Sequence, residues 1–165
     1  MTHLVVTSDW HLDAVTTGVS RFDELVSAAW QTVDAAISLK ARTKEPVVFL
    51  FLGDLCDPDC GVDAWKIATA VTSMAIKLGE NELPSVWLVG NHDVIEDGSG
   101  RSTLSPLMAL WPSGLVTVAS TPAEIEIEGV TFQTFPFVAR ANAYTPEDFV
   151  GNARAKSSTV VLSHL

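Results

Sequence analysis

One stretch decides the fold: VVFLFLGD, residues 47–54, which directly follows Pro46. Six consecutive apolar residues, several of them β-branched or aromatic, predict a strand that is buried on both faces. Gly53 allows the backbone to turn sharply where that strand ends, and Asp54 places a charge just beyond it. The stretch therefore predicts a central strand that delivers a carboxylate to one edge of a sheet.

Similar units lie on both sides of this strand. Residues 4–7 and 86–89 are short apolar runs with β-branched side chains, typical of buried strands. Between the three runs, apolar residues recur at helical spacing over residues 22–37 and 65–78. Alternation of strand and helix at these spacings predicts a parallel sheet with right-handed crossovers.

The sequence changes character after Pro112. Short strands replace the strand–helix units, and Glu128-Gly129 predicts a hairpin turn between two of them. The elements predicted there are strands over residues 116–118, 124–127 and 130–135, a helix within residues 142–156 that begins near Thr145-Pro146, and a strand over residues 159–162.

The size and charge of the chain limit its function. Its 165 residues fit one domain, residues 1–165, with a hydrophobic core of its own. Twenty acidic residues against 10 basic ones give a formal charge of −10, which opposes unaided, tight binding to DNA. Bound metal ions would reverse the field locally.

Composition also predicts the compartment. No apolar run is long enough to cross a membrane, and the N-terminus lacks the basic start of a signal peptide, so a cytoplasmic location is expected. Two cysteines, Cys56 and Cys60, are too few for a disulfide scaffold or a four-cysteine zinc site. They are interpreted as ordinary thiols, with a local disulfide or a soft-metal role as the alternatives.

Polar residues that suit catalysis follow each predicted parallel strand and the last strand. The carboxyl ends of such strands form the usual ligand site of an open α/β sheet. Four strands should therefore bring their polar residues to one edge. The segments concerned are Ser8-Asp9-Trp10-His11, Gly53-Asp54, Gly90-Asn91-His92-Asp93 and Ser163-His164.

These residue types suit divalent cations. Carboxylate, amide oxygen and imidazole favour manganese, iron or zinc, with magnesium less suited to the histidines. Asp9 and His11 are two residues apart, so in an extended segment both side chains point the same way and can hold one ion. Asp54 has two carboxylate oxygens and can bridge two ions. A pair of ions about 3.5–4 Å apart can activate a water and clamp a phosphoryl group.

At these motifs the chain resembles the calcineurin-like metallophosphoesterases. Within that superfamily the motif sequences are most similar to the DNA-repair exonuclease subunit of the SbcCD type, and they fit the protein serine/threonine phosphatases less well. The resemblance covers nearly the whole chain. It is carried by TSDWHL (residues 7–12), LGDLCD (52–57), VGNHD (89–93) and the later His164.

The resemblance implies a fold and a chemistry. The fold would be a mixed-sheet β-sandwich flanked by helices, of the α/β (α+β) class. The activity would be metal-dependent hydrolysis of a phosphoester, with DNA as the expected substrate and a water activated by two divalent ions, manganese first. The implied roles are metal ligation by Asp9, His11, Asp54, Asn91 and His164, and proton donation to the leaving oxygen or transition-state stabilisation by His92.

One departure from the family pattern raises a further expectation. The pattern continues with a Gly-His-x-His segment beyond the histidine matched by His164, whereas this sequence stops at Leu165. The domain is therefore expected to be C-terminally incomplete, with one sheet partly open. A partner chain or a second copy would then complete the metal site.

Several alternatives remain open from the sequence. A small-molecule phosphodiesterase or phosphatase fits the same motifs, and so does an inactive or split subunit. Singly, each candidate ligand also fits an ordinary turn or loop; their order after successive strands favours the metal site. Asp57 fits either a contact to metal-bound water or a loop cap. Trp30 and Trp65 are predicted to be core residues, and Trp10 is predicted to pack below the metals.

Overall fold

The structure is a computed structural model that describes residues 1–58, 62–95, 100–137, 144 and 159–164. Within these residues two long helices occur, α1 (Phe22–Thr43) and α2 (Ala64–Glu80), with 3-10 segments at Asn91–Asp93 and Ser105–Ser113. The strands are β1 (His3–Thr7), β2 (Val15–Thr16), β3 (Val19–Ser20), β4 (Val47–Phe51), β5 (Ser85–Leu88), β6 (Val116–Ala119), β7 (Ala123–Ile127), β8 (Val130–Phe135) and β9 (Thr159–Ser163).

The first sheet is parallel and has the order β1-β4-β5-β6. Thr7 pairs with Phe51, and Phe51 pairs with Trp87, so three strands end at nearly the same level. The predicted parallel sheet is confirmed, and residues 8–11, 52–54 and 89–93 all leave it at one edge.

The second sheet is mixed and has the order β7-β8-β9. β7 and β8 are antiparallel, and the predicted turn between them has positive φ at both Glu128 (51°) and Gly129 (73°), as a type I′ hairpin requires. β8 and β9 are parallel, with Phe135 opposite Ser163. This pairing carries His164 to the same edge.

The two sheets pack face to face, as the alternating side chains of β4 show. Phe49 and Phe51 face a core that includes the two helices, whereas Val48 and Leu50 face Phe132 and other residues of the second sheet. Each such fully buried side chain contributes about 1.5–3 kcal/mol of hydrophobic stabilisation. Burial on both faces is the reason the run over residues 47–52 has no polar alternation, and the predicted sandwich is confirmed.

The prediction for one tryptophan was wrong. Trp65 is 66% exposed, although it stands in a helical apolar pattern. It lies two residues before Ile67, so its side chain points about 200° around the helix axis from the buried stripe that Ile67 begins. Trp10 is buried against Phe51 and Trp87, with its ring centroid 4.7 Å from that of Phe51, and its place below the metals stays a prediction.

Other predictions have mixed outcomes. Trp30 is only partly buried, although it packs against the core. The helix predicted to begin near Thr145-Pro146 lies outside the described residues, and so does Cys60. In the part of the chain that is described, no helix is both long and apolar enough to cross a membrane.

Candidate metal centre

The segment after β1 runs beside the segment after β4. The backbone N–H of Asp9 donates to the carbonyl of Gly53 at 2.9 Å, and the N–H of His11 donates to the carbonyl of Asp54 at 3.1 Å. The pairing of the two strands therefore continues into their loops. As a result, three candidate ligands are held next to one another at the edge of the sheet.

Asp9, His11 and Asp54 form the first ligand group. One ligand atom from each lies within 4.8 Å of the others. The Nε2 atom of His11 is 3.8 Å from Oδ2 of Asp54 and 4.0 Å from Oδ1 of Asp9. Two carboxylates and an imidazole at these separations fit a divalent cation placed between them.

Asp54, Asn91 and His164 form the second ligand group. The Nε2 atom of His164 lies 2.9 Å from Oδ1 of Asn91 and 3.3 Å from Oδ1 of Asp54. The Nδ1 atom of the same ring lies 2.7 Å from the carbonyl oxygen of Leu52. A carbonyl only accepts, so Nδ1 donates this hydrogen bond, and Nε2 is the ring nitrogen that would bind a metal ion. A carboxylate, an amide oxygen and an imidazole thus converge, which fits a divalent cation.

Asp54 belongs to both groups through different oxygens: Oδ2 is the atom near His11, and Oδ1 is the atom near His164. Its side chain is buried, so its negative charge has little access to water. Asp9, His11 and Asp54 all have positive φ, at 55°, 40° and 63°. Backbone strain of this kind in non-glycine residues concentrates at functional sites.

His92 lies between these groups and a further carboxylate. Its ring centroid is 5.1 Å from that of His11, and its backbone N–H donates to Oδ1 of Asp54 at 3.1 Å. Its Nδ1 lies 2.6 Å from Oδ1 of Asp57, a contact that neither sequence interpretation of Asp57 included. This hydrogen bond raises the pKa of His92; partial burial opposes the rise, and the charges of Asp57, Asp54 and Asp13 support it.

Asp93 organises the loops beneath the ligands. Its Oδ2 accepts the N–H groups of Asp54 (2.9 Å) and Gly90 (2.8 Å). Its Oδ1 accepts the N–H of Leu55 (2.8 Å) and the hydroxyl of Thr103 (2.7 Å). Burial raises the pKa of Asp93, and the four hydrogen bonds oppose that rise. One carboxylate thus ties the loop after β4 to the loop after β5.

Sequence reasoning quoted Asp93 but assigned it no role. A carboxylate after Gly-Asn-His resembles an ordinary loop former, and its four donors come from sequence positions up to 39 residues away. The signal in the sequence was an additional acid, Asp93, directly after the predicted site residues Asn91 and His92. An acid in this position can be recognised as a supporting residue only when the fold is known.

Two glycines permit the close approach of these loops. A side chain at Gly90 would collide with Oδ1 of Asp54 and would come within 2.9 Å of the His164 ring. A side chain at Gly53, whose φ is 97°, would come within 2.6 Å of Nδ1 of His164. Glycine is therefore required at both positions for the second ligand group to form.

Comparison with known families agrees with this geometry. The sequence matches the family described as Calcineurin-like phosphoesterase over residues 2–158. The chain belongs to the calcineurin-like phosphoesterase family. No curated protein matches it closely enough to be counted as a relative. The calcineurin-like phosphoesterases hydrolyse phosphoesters and typically depend on divalent metal ions, so the chain is a hydrolase with a candidate metal centre.

The electrostatics of this calcineurin-like site fit cations. Among the described residues, the charged partners of Asp9, Asp54 and Asp57 are histidines, with no lysine or arginine in contact. A carboxylate cluster without basic partners repels itself, and divalent ions remove that repulsion. The structure thus brings all six sequence-predicted site residues to one place, while their individual roles remain predictions: Asp9, His11, Asp54, Asn91, His92 and His164.

Proposed function

We propose that this chain is a two-metal phosphodiesterase in which Asp54 bridges the ions. The observation that carries the proposal is the division of the two Asp54 oxygens between separate ligand groups. Two oxygens of one carboxylate that face separate groups of metal-type side chains are the arrangement expected of a ligand shared by two ions. The proposed mechanism follows from that division.

Each ligand group would hold one ion. Asp9 and His11 would bind the first, and Asn91 and His164 the second, with Asp54 shared. When bound, the ions would supply an activated water and charge to stabilise the phosphoryl oxygens. Manganese is the first expectation, with iron, zinc or magnesium as alternatives, because the donor set mixes oxygen with imidazole nitrogen.

His92 would supply a proton to the leaving oxygen. Its Nδ1 is hydrogen-bonded to Asp57, which orients the ring and stabilises the protonated form. The Nε2 atom is then the one that exchanges a proton with substrate. Asp57 acts through His92 and is a positioning residue in this scheme.

The proposed substrate is DNA, cut by an exonuclease action. Support comes from the motif sequences around Asp9, Asp54 and Asn91, which are most similar to those of the DNA-repair exonuclease type. The formal charge of −10 opposes contact with a phosphate backbone, so binding would depend on the metal ions for local positive charge.

A small-molecule phosphodiesterase is the second candidate, and the same charge favours it. A small substrate presents one phosphate to the ions and needs no basic surface. A substrate panel separates the two: single-stranded and double-stranded DNA, a dinucleotide, bis(4-nitrophenyl) phosphate and 4-nitrophenyl phosphate, each with manganese. Cleavage of DNA supports the nuclease, whereas cleavage of only the dinucleotide and the aryl diester supports the second candidate.

The proposal also makes a claim about stoichiometry. Equilibrium dialysis with elemental analysis should find about two manganese ions per chain, since two ligand groups are present. Two ions together with no cleavage of any phosphodiester would overturn the function. One weakly held ion would instead support the prediction that a partner chain or a second copy completes the site, and sedimentation at several concentrations would show whether copies associate.

A further inference from the structure

An apolar pocket opens beside Asp57, the hydrogen-bond partner of His92. It encloses about 330 Å³, within the range of about 300–1,000 Å³ that is usual for small-molecule sites. Its walls include flat or small apolar groups from Ala68, Ile95 and Pro106, together with the ring of Trp65. The pocket lies outside both ligand groups, so the proposed metal centre does not explain it.

Two hydrogen bonds connect the pocket to the metal centre. Asp57 lines the pocket and is bonded to Nδ1 of His92 at 2.6 Å. Thr103 also lines it, and its hydroxyl donates to Asp93, which in turn holds the backbone of Asp54. The pocket is therefore fixed relative to the residue proposed to serve the leaving group.

Trp65 gives the pocket an aromatic wall. Its side chain is 66% exposed at the start of α2, where the helix does not need it for packing. Exposure of so large an apolar ring costs hydrophobic stabilisation, and tryptophan at such a position commonly serves recognition. A flat ring that enters the pocket could stack on it.

The charge of the lining restricts what enters. Among the described residues that form it, Asp57 is the charged one and none is basic. A phosphate group would meet apolar walls and a carboxylate there, so the anionic part of a substrate belongs at the metal centre. A neutral, flat group is the complement of an aromatic wall with apolar surroundings.

We propose that this pocket binds the flat neutral group on the leaving side of the phosphodiester, a nucleobase or an aryl ring, with Trp65 as the stacking residue. This inference rests on the proposed phosphodiesterase function and deepens it. Trp65 would determine specificity: diesters with a base or aryl group next to the leaving oxygen would bind well, and diesters with only a short alkyl group there would bind weakly.

Binding of a neutral probe tests the pocket without any catalysis. Adenosine, and ribose as the matched probe without a base, are titrated into the metal-free protein and followed by ligand-observed NMR. The wild type should bind adenosine and not ribose. Trp65→Ala should raise the dissociation constant of adenosine by about tenfold, the usual effect of losing one base–aromatic stack.

Two further variants control this result. Ile76→Ala removes another exposed apolar side chain of α2 that does not line the pocket, and should leave adenosine binding unchanged. Ala68→Phe should fill the pocket and weaken adenosine binding while Trp65 is retained. Circular dichroism confirms that each variant is folded. The proposed role of the pocket would be overturned if the wild type did not bind adenosine. It would also be overturned if the Trp65→Ala and Ile76→Ala proteins bound adenosine equally well.

A kinetic measurement separates this inference from the proposed function. With manganese, Trp65→Ala should raise KM for a dinucleotide and leave kcat unchanged, because the residue contacts only the base. Dinucleotide cleavage with the same KM in the variant rejects the pocket alone. Adenosine binding that depends on Trp65, without cleavage of any phosphodiester, rejects the proposed function alone.

Discussion

Two buried carboxylates of the site, Asp54 and Asp93, differ in how many hydrogen bonds they accept from the protein. Asp93 accepts four hydrogen bonds from the protein, three of them from backbone N–H groups. Asp54 accepts one backbone hydrogen bond, from His92, and otherwise faces histidine rings. A carboxylate whose acceptor positions are filled by the protein fits a structural role, whereas one with acceptor positions left over fits a metal ligand.

The largest expected effect on activity comes from substitution of Asp54. Asp54→Asn keeps the shape of the side chain, and asparagine tolerates the positive φ at this position. Loss of the bridging charge should lower metal-dependent hydrolysis on the order of a thousandfold, because metal activation supplies several kcal/mol of transition-state stabilisation. Elemental analysis should find fewer bound ions. Full manganese binding and wild-type turnover would contradict the bridging role.

His92 should give a large effect of a different kind. His92→Ala should lower kcat by roughly 10²–10⁴-fold, the usual contribution of a positioned acid, while manganese binding is retained. The measurement pairs steady-state kinetics with equilibrium dialysis on the same sample. If turnover were unchanged, or if metal were lost together with activity, His92 would not be the proton donor.

Substitution of Asp93, which accepts four hydrogen bonds from the protein, should lower the stability of the fold instead. Asp93→Ala leaves several buried donors unpaired, each at a cost of about 1–3 kcal/mol, so the free energy of unfolding should fall by about 3 kcal/mol or more. Urea denaturation in metal-free buffer measures it. Asp54→Asn is the matched comparison and should change this free energy little. Equal destabilisation by both substitutions would contradict the distinction between a structural Asp93 and a metal-binding Asp54.

The smallest effect is a shift in pH dependence. The hydrogen bond that His92 donates to Asp57 raises the pKa of His92. Because the protonated ring is the proposed acid, activity should persist below that pKa and fall as pH rises through it. Asp57→Asn removes the charge and should move the basic limb of the kcat profile to lower pH. An unmoved limb, or one moved to higher pH, would show that another group titrates there.

Much of the fold could be predicted from the sequence. The run over residues 47–52 identified a strand buried on both faces because only a doubly covered strand tolerates unbroken apolar side chains. The exposure of Trp65 could not be predicted, since periodicity defines a stripe only after the packed face is known. The ring of Trp65 looked like part of the stripe because an apolar residue close to helical spacing gives the same sequence signal whether it is buried or exposed.

The site was predictable where it depended on topology and not where it depended on loop geometry. Parallel strands end together, so Asp9, Asp54 and Asn91 were expected at one edge. The hydrogen bond between Asp57 and His92 and the four bonds to Asp93 depend on how two loops bend toward each other. No spacing rule links residue 57 to residue 92, and such contacts follow from tertiary structure alone.

The pairing of β9 with β8 has a consequence for how the protein folds. His164 reaches the site only after β9 has joined the second sheet, and its Nδ1 contacts Leu52, which is 112 positions earlier in the sequence. Contacts so distant along the chain form slowly, because a large loop must close first. We therefore expect the second ligand group to assemble in the last steps of folding, so that manganese would trap the finished protein and slow its unfolding.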